Sequence, residues 1–288
     1  MAKGLEIKRR IRSIKSMLQV TSAMEMIASI KMRKAQEAAL RSKAYVFESW
    51  RIIVRLSRLK ENRDNIFLTE AKEGKILLLV ITSDRGLAGS YNSEILKKTL
   101  SFVKENGLDN IDFITMGRKG QDFIKKIGGN IIADFPLGQE IRFSFISPVG
   151  TIGWNGFVEG KYSRFLSIHT HFESAVRHNA TQLQILPINI ENIDSDKEDK
   201  ETEVEFQYEP NKQELLESII RQSVRALTYQ VILESEAAEH ASRMVAMKNA
   251  TDAAEDLKED FEFTYNQIRQ QSITSELSEI SAGVIALQ

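Results

Sequence analysis

The densest candidate chemistry in the chain is the stretch Asp84-Arg85-Gly86-Leu87-Ala88-Gly89-Ser90. It follows an apolar run at residues 75–82 (KILLLVIT) and precedes a helical stretch at about 92–105. A glycine-bearing turn between a buried strand and a helix is where an α/β fold can hold phosphate on helix-terminal N–H groups. The residues match neither G-x-G-x-x-G nor a Walker A loop, because no Gly-Lys-Ser/Thr follows. A tight strand-to-helix turn accounts for the glycines equally well. His169 and His171 stand two apart in an alternating stretch, so they share one face of a strand. A metal site would need a third ligand, and none is evident, which favours structural histidines. No Ser/His/Asp arrangement stands out. The chain contains no cysteine, which excludes disulfides, a thiol nucleophile and cysteine zinc sites. Nothing here marks the chain as a catalyst on its own or as the holder of a cofactor.

The elements that must position these groups are read from glycine and proline. Residues 5–73 contain neither, and residues 211–282 contain neither. Those two residues are the main helix breakers, so a long helix is expected at each end, with a loop-rich middle between. Small or apolar residues recur in alternating steps of three and four, with one skip at Glu25, at Ile7, Ile11, Ile14, Leu18, Thr21, Ala28, Met32, Ala35 and Ala39. The same rhythm runs Leu216, Ile219, Ser223, Ala226, Gln230, Leu233, Ala237, His240, Met244, Met247, Thr251 and Ala254, then Phe261, Tyr265 and Ile268. That is the period of a coiled-coil seam. An antiparallel pair is the simplest geometry, since both helices join one central domain. Residues 3–56 would span roughly 80 Å and residues 211–285 roughly 110 Å, leaving the last helix overhanging from near Ile268. The overhang carries Ile273, Leu277, Ile280, Val284, Ile285 and Leu287, an apolar set that calls for a partner groove.

The middle alternates strand and helix patterns. Strands are expected at 75–82, 111–116 and 130–135, helices at 92–105 and 119–126, and further strands at 162–173 and 181–187. Residues 143–154 do not resolve into either type. The alternation predicts a doubly wound, Rossmann-like parallel sheet. The fold class is therefore α/β: a long antiparallel two-helix coiled coil of the N- and C-terminal helices plus a central doubly wound domain. The expected divisions are a first helix at 1–60, the α/β domain at 74–190, an acidic loop and foot at 191–210, and the last helix at 211–288.

The net charge is −1. It conceals 15 Lys/Arg against 4 Asp/Glu in residues 1–60, and 7 against 13 in residues 211–288. The two end helices should attract each other, or a basic surface should face an acidic partner. The basic helix lacks interleaved aromatics and its partner helix is acidic, which argues against nucleic acid. The apolar run at 76–81 is far too short to cross a bilayer, and the N-terminus has no signal core. Membrane association is expected only through a partner.

Three segments carry distinctive runs of residues. The first holds Ile7-Lys8-Arg9-Arg10-Ile11-Arg12-Ser13-Ile14-Lys15, Thr21-Ser22-Ala23-Met24-Glu25-Met26-Ile27-Ala28 and Lys31-Met32-Arg33-Lys34-Ala35-Gln36. The second is Ser83-Asp84-Arg85-Gly86-Leu87-Ala88-Gly89-Ser90-Tyr91-Asn92 with Gly117-Arg118-Lys119-Gly120. The third is Ser242-Arg243-Met244-Val245-Ala246-Met247-Lys248-Asn249-Ala250-Thr251-Asp252 and Arg269-Gln270-Gln271-Ser272-Ile273-Thr274-Ser275-Glu276-Leu277-Ser278-Glu279-Ile280. Together these segments resemble the γ subunit of F-type ATP synthases, and the resemblance is loose only from about 135 to 205. Departures are Ala88, where the family usually has Cys; Ala253, usually Asn; and Val284, usually Ala. The thiol-regulatory insertion of the chloroplast form is absent.

The resemblance implies a rotor shaft in the axis of an α/β hexamer, resting on a c-ring beside an ε-type subunit, one copy per complex. It implies coupling of ion flow to ATP synthesis or hydrolysis, with no bond made or broken by the shaft. By position, Arg269, Gln270, Thr274 and Glu276 match residues that engage a β-subunit loop or support that contact. Met24 and Arg243 match the same coupling region, and the overhang estimate sets them level with each other. Phe206, Tyr208 and Glu209 match the foot on the c-ring. The expected location is the cytoplasmic side of a bacterial inner membrane, held peripherally. The competing readings are a phosphate-ligand enzyme using Asp84–Ser90 and a nucleic-acid adaptor using the basic helix.

Overall fold

In the computed structural model, which describes residues 2–57, 65–69, 73–137, 141–189, 209 and 211–286, the glycine- and proline-free ends form helices α1 (Ala2–Ser57) and α5 (Lys212–Ala286). Between them run β1 (Lys75–Ile81), α2 (Tyr91–Asn106), a short 3-10 turn (Leu108–Asn110), β2 (Ile111–Met116), α3 (Arg118–Lys126), β3 (Asn130–Phe135), α4 (Phe143–Val158), β4 (Tyr162–Phe172) and β5 (His178–Leu186). The start of α5 is written locally. Asn211 Oδ1 accepts the Glu214 N–H at 2.8 Å, and Asn211 Nδ2 donates back to Glu214 Oε1 at 2.7 Å. Such a cap is worth about 1 kcal/mol.

Clustering divides the chain into two compact units, Met1–Ser29 with Arg243–Gln288, and Ile30–Ser242. In the first, α1 and α5 pair antiparallel through the anticipated seam. Ile11, Thr21, Ala28, Met247 and Ala254 are buried. Thr251 Oγ1 donates to Thr21 Oγ1 at 2.8 Å. Lys15 Nζ meets Glu262 Oε1 at 2.9 Å, and Arg10 lies over the Phe261 ring at 5.8 Å. The Lys15 hydrogen bond holds the Glu262 carboxyl below the usual carboxylate range. Both groups of that pair are solvent-exposed, so charge attraction adds little and the seam packing holds the helices.

The second unit is a five-stranded sheet ordered β3-β2-β1-β4-β5. β1, β2, β3 and β4 are mutually parallel where they pair, and β5 runs antiparallel to β4. The sheet is thus doubly wound with one antiparallel edge strand, which a short hairpin after β4 permits and a parallel crossover would not. Successive residues of β1 serve opposite faces. Ile76, Leu78 and Val80 pack with Tyr91, Ile95 and Phe102 of α2 and Ile124 of α3. Leu77, Leu79 and Ile81 pack with Ile146 and Val149 of α4, Ile53 and Leu56 of α1, and Leu216 and Ile220 of α5. This two-sided burial is why β1 reads as a continuous apolar run.

Residues 143–154, unresolved by pattern, belong to α4. Pro148, Gly150, Gly153 and Gly156 give it the composition of a loop. The reason lies in packing: a Cβ on Gly153 would stand 2.5 Å from the Phe165 ring of β4. The helix sits so close to the sheet that only glycine fits there.

Candidate functional site

The loop after β1 is the first candidate. Its backbone turns at Leu87 (φ 62°) and Gly89 (φ 54°). Asn92 of α2 reaches back, its Oδ1 accepting the Ser83 N–H at 3.0 Å. Asp84 Oδ1 accepts the Arg118 N–H at 3.0 Å, so a carboxylate already caps the start of α3. Thr82 Oγ1 accepts the Gly120 N–H at 2.7 Å and lies 3.1 Å from the Met116 carbonyl oxygen. The N–H donors of Arg118 and Gly120 at the start of α3 are therefore committed inside the protein.

The ligand crevice of an open α/β sheet lies at the carboxyl ends of the strands where the order reverses, here between β1 and β4. Helix α5 fills it. Ser235 Oγ lies 2.9 Å from the Tyr91 hydroxyl and accepts the Thr170 N–H at 3.2 Å. Ser235, Tyr91 and Thr170 are each at most 1% exposed. A serine inside a long helix carries no sequence signal of this role. The filled crevice argues against the phosphate-ligand enzyme at Asp84–Ser90.

The histidines are structural. His171 Nδ1 lies 2.6 Å from Glu234 Oε2, and Gln230 donates to the other Glu234 oxygen at 2.8 Å. Ser242 Oγ lies 2.7 Å from His178 Nε2. These contacts lace the β4–β5 hairpin to α5. His169 is buried, with Ser167 Oγ 3.1 Å from its Nδ1. Among the described residues no group of three His, Cys, Asp or Glu side chains could hold a metal.

Burial pushes the His169 imidazole from its ordinary 6.5 down to about 3, and His171 adds to the effect. The folded state then resists a proton that the unfolded chain accepts. Stability is full above about pH 6.5 and falls as pH drops towards 3, by about 1.4 kcal/mol per unit at most. Urea titrations from pH 7.5 to 5 should show this slope, and His169→Gln should flatten it.

The second candidate is the exposed end of α5. Gly4 of α1 approaches Ile268: a Cβ built there would lie 3.9 Å from its Cγ2. Residues 269–282 are exposed apart from half-buried Ser272. At about 100° per residue, Arg269, Ile273, Glu276 and Ile280 fall within roughly 60° on one helix face, with Gln270, Thr274 and Leu277 beside them. Ile273 is 49%, Leu277 60% and Ile280 64% exposed. An apolar row flanked by an arginine and a glutamate has the composition of a docking face. Thr274 Oγ1 bonds back to the Gln270 carbonyl at 3.0 Å. Met24 and Arg243 are both half-buried. The Thr21–Thr251 pair sets Met24 level with about Lys248, five residues from Arg243, so the level estimate from chain length was off by more than a turn. Glu209 is exposed in the bend before α5, while Phe206 and Tyr208 lie outside the described residues. The side chain of Val284 also lies outside them.

The fold and this face define a class: a two-helix coiled coil joined to a doubly wound domain whose sheet crevice is closed by its own helix. A family model described as ATP synthase matches residues 3–287. The ATP synthase gamma chain of Heliobacterium modesticaldum is 35% identical over 98% of both chains. That of Chloroflexus aurantiacus is 37% identical over 100% of this chain and 99% of its own. Among solved structures, the Euglena gracilis mitochondrial ATP synthase, comprising OSCP, F1 and c-ring, holds a chain similar at TM-score 0.66 and 19% identity, over 99% of this chain and 95% of that one. A chain of the Tetrahymena thermophila mitochondrial central stalk and c-ring aligns at TM-score 0.62 and 22% identity, over 80% of this chain and 99% of its own. The chain belongs to the ATP synthase gamma-chain family.

Proposed function

We propose that this gamma-family chain works as the central-stalk rotor of an F-type ATP synthase, carrying c-ring rotation to the nucleotide-binding α/β hexamer. What supports the reading most is similarity to bacterial gamma chains along the entire length, including the exposed end of α5. The chain itself contributes no catalytic group. Its chemistry is contact: Arg269, Gln270, Thr274 and Glu276 engage a β-subunit loop, with Met24 and Arg243 in the same coupling region. Phe206, Tyr208 and Glu209 form the foot on the c-ring, beside an ε-type subunit. Among the described residues no helix is long and apolar enough to cross a membrane, which is compatible with peripheral attachment through the ring at a bacterial inner membrane.

Native mass spectrometry of a tagged chain recovered from its own cells' membranes is the test. One copy with three each of two nucleotide-binding subunits is expected. A free monomer or a homodimer without those subunits would overturn the reading.

A further inference from the structure

A pocket of about 580 Å³ opens within the Ile30–Ser242 unit, walled by α1, α5 and the first turn of α4. Its volume lies in the range of small-molecule sites. Among the described residues no acidic side chain lines it, whereas Arg41 of α1 and Arg225 of α5 both do. Neither guanidinium has a carboxylate partner among the described residues. The Arg225 stem is pressed against α4, where a Cβ on Gly150 would stand 3.0 Å from the Arg225 Cα. Its Nε is buried with no hydrogen-bond partner. The side chain is therefore held in place by packing, not by an ion pair, and its charge is uncompensated. The Tyr45 hydroxyl donates to Gln222 Oε1 at 3.1 Å, which orients the Gln222 amide and leaves its N–H groups as donors. Phe143 and Tyr229 form an edge-to-face ring pair at 5.5 Å, and both line the pocket. Phe143 is 46% exposed and Tyr45 51%, so apolar ring surface stands beside the charges.

Two uncompensated guanidiniums, a donor amide and open ring surface in one concavity are the complement of an anion carrying a flat group. We propose that this pocket binds a small phosphate-bearing molecule of nucleotide size, with Arg41 and Arg225 on the phosphates and the rings of Phe143 and Tyr45 against its planar portion. The site is separate from the closed crevice between β1 and β4. It rests on neither the coupling face nor the rotor reading. Planar guanidinium forks suit phosphate oxygens better than an ammonium does, so charge alone does not reproduce the site.

The test is isothermal calorimetry on the full-length chain with ADP, pyrophosphate and adenosine as probes. ADP is expected to bind in the micromolar to low-millimolar range, pyrophosphate more weakly, and adenosine not at all. Arg41→Gln, on an exposed helix position, should weaken ADP at least tenfold with unchanged circular dichroism. Arg225→Lys keeps the charge and should do the same. Binding of ADP and adenosine alike, ADP binding unaffected by both substitutions, or no heat from ADP or pyrophosphate at millimolar concentration each overturns the proposal.

Discussion

Arg269→Leu is expected to leave the chain folded and cut ATP-driven proton pumping at least tenfold in reconstituted membranes. Arg269 stands on the exposed end of α5, next to Ile268, which Gly4 of α1 approaches. Exposed helix positions of this kind tolerate substitution within about 0.5 kcal/mol. The loss must then appear in contact with a partner. A guanidinium holds a carboxylate through two parallel N–H···O bonds in fixed geometry. Removing one member of a buried charge pair costs about 2–5 kcal/mol, because the other is left desolvated and alone. Even the lower figure corresponds to roughly thirtyfold. Arg269→Lys separates geometry from charge: partial pumping is expected, since an ammonium supplies charge without the fork. Glu276 shares the Arg269 face by helical spacing, so Glu276→Gln should give a smaller defect in the same assay. Pumping by Arg269→Leu at the unsubstituted rate, with normal assembly, would remove this face from the coupling mechanism.

Gly117→Ala is expected to destabilise the α/β domain by about 3 kcal/mol or more, enough to lower recovery of folded chain sharply. Gly117 sits between β2 and α3 with φ 87°, a conformation that alanine adopts only under strain. Space is lacking as well. A Cβ there would lie 2.7 Å from the Thr82 carbonyl carbon and 3.0 Å from that of Ser83. Those are backbone atoms at the end of β1, held by the Thr82 N–H donating to the Met116 carbonyl at 2.8 Å. Relief would require moving the end of β1 off β2. A midpoint shift in urea, with unchanged m-value, is the measurement. Gly128 offers a control: its φ is 80° but nothing lies within 4 Å of a Cβ, so Gly128→Ala should cost only the backbone strain. Equal losses at the two positions would show that the crowding at Gly117 is unimportant.

These two sites differ in how they announce themselves. Arg269 was legible through its neighbours, because the motif around it carries the family resemblance and the chain-length estimate already placed the overhang near Ile268. Gly117 was legible only as part of Gly117-Arg118-Lys119-Gly120. Its crowding depends on Thr82, distant in sequence and adjacent in space. The same holds for Ser235. On a helix wheel it is a small polar residue near the seam, yet it closes the sheet crevice with Tyr91 and Thr170. Helix α4 shows the opposite failure. Its glycines and proline read as a break, because local propensity knows nothing of the Phe165 ring that requires a small residue at position 153.

The amino-acid order was enough for the two end helices, the seam, the α/β middle and the family. Each depends on periodicity or on short motifs, which are properties of neighbours along the chain. It was enough, too, to set aside disulfide and thiol chemistry, since no cysteine is present. The antiparallel placement of β5, the level of Met24 against Lys248, the closed crevice and the two uncompensated arginines at the pocket required the folded chain. All four depend on separate segments of the chain meeting at a few ångströms. Those meetings are decided by packing and by the pairing of buried polar groups, which no local pattern records.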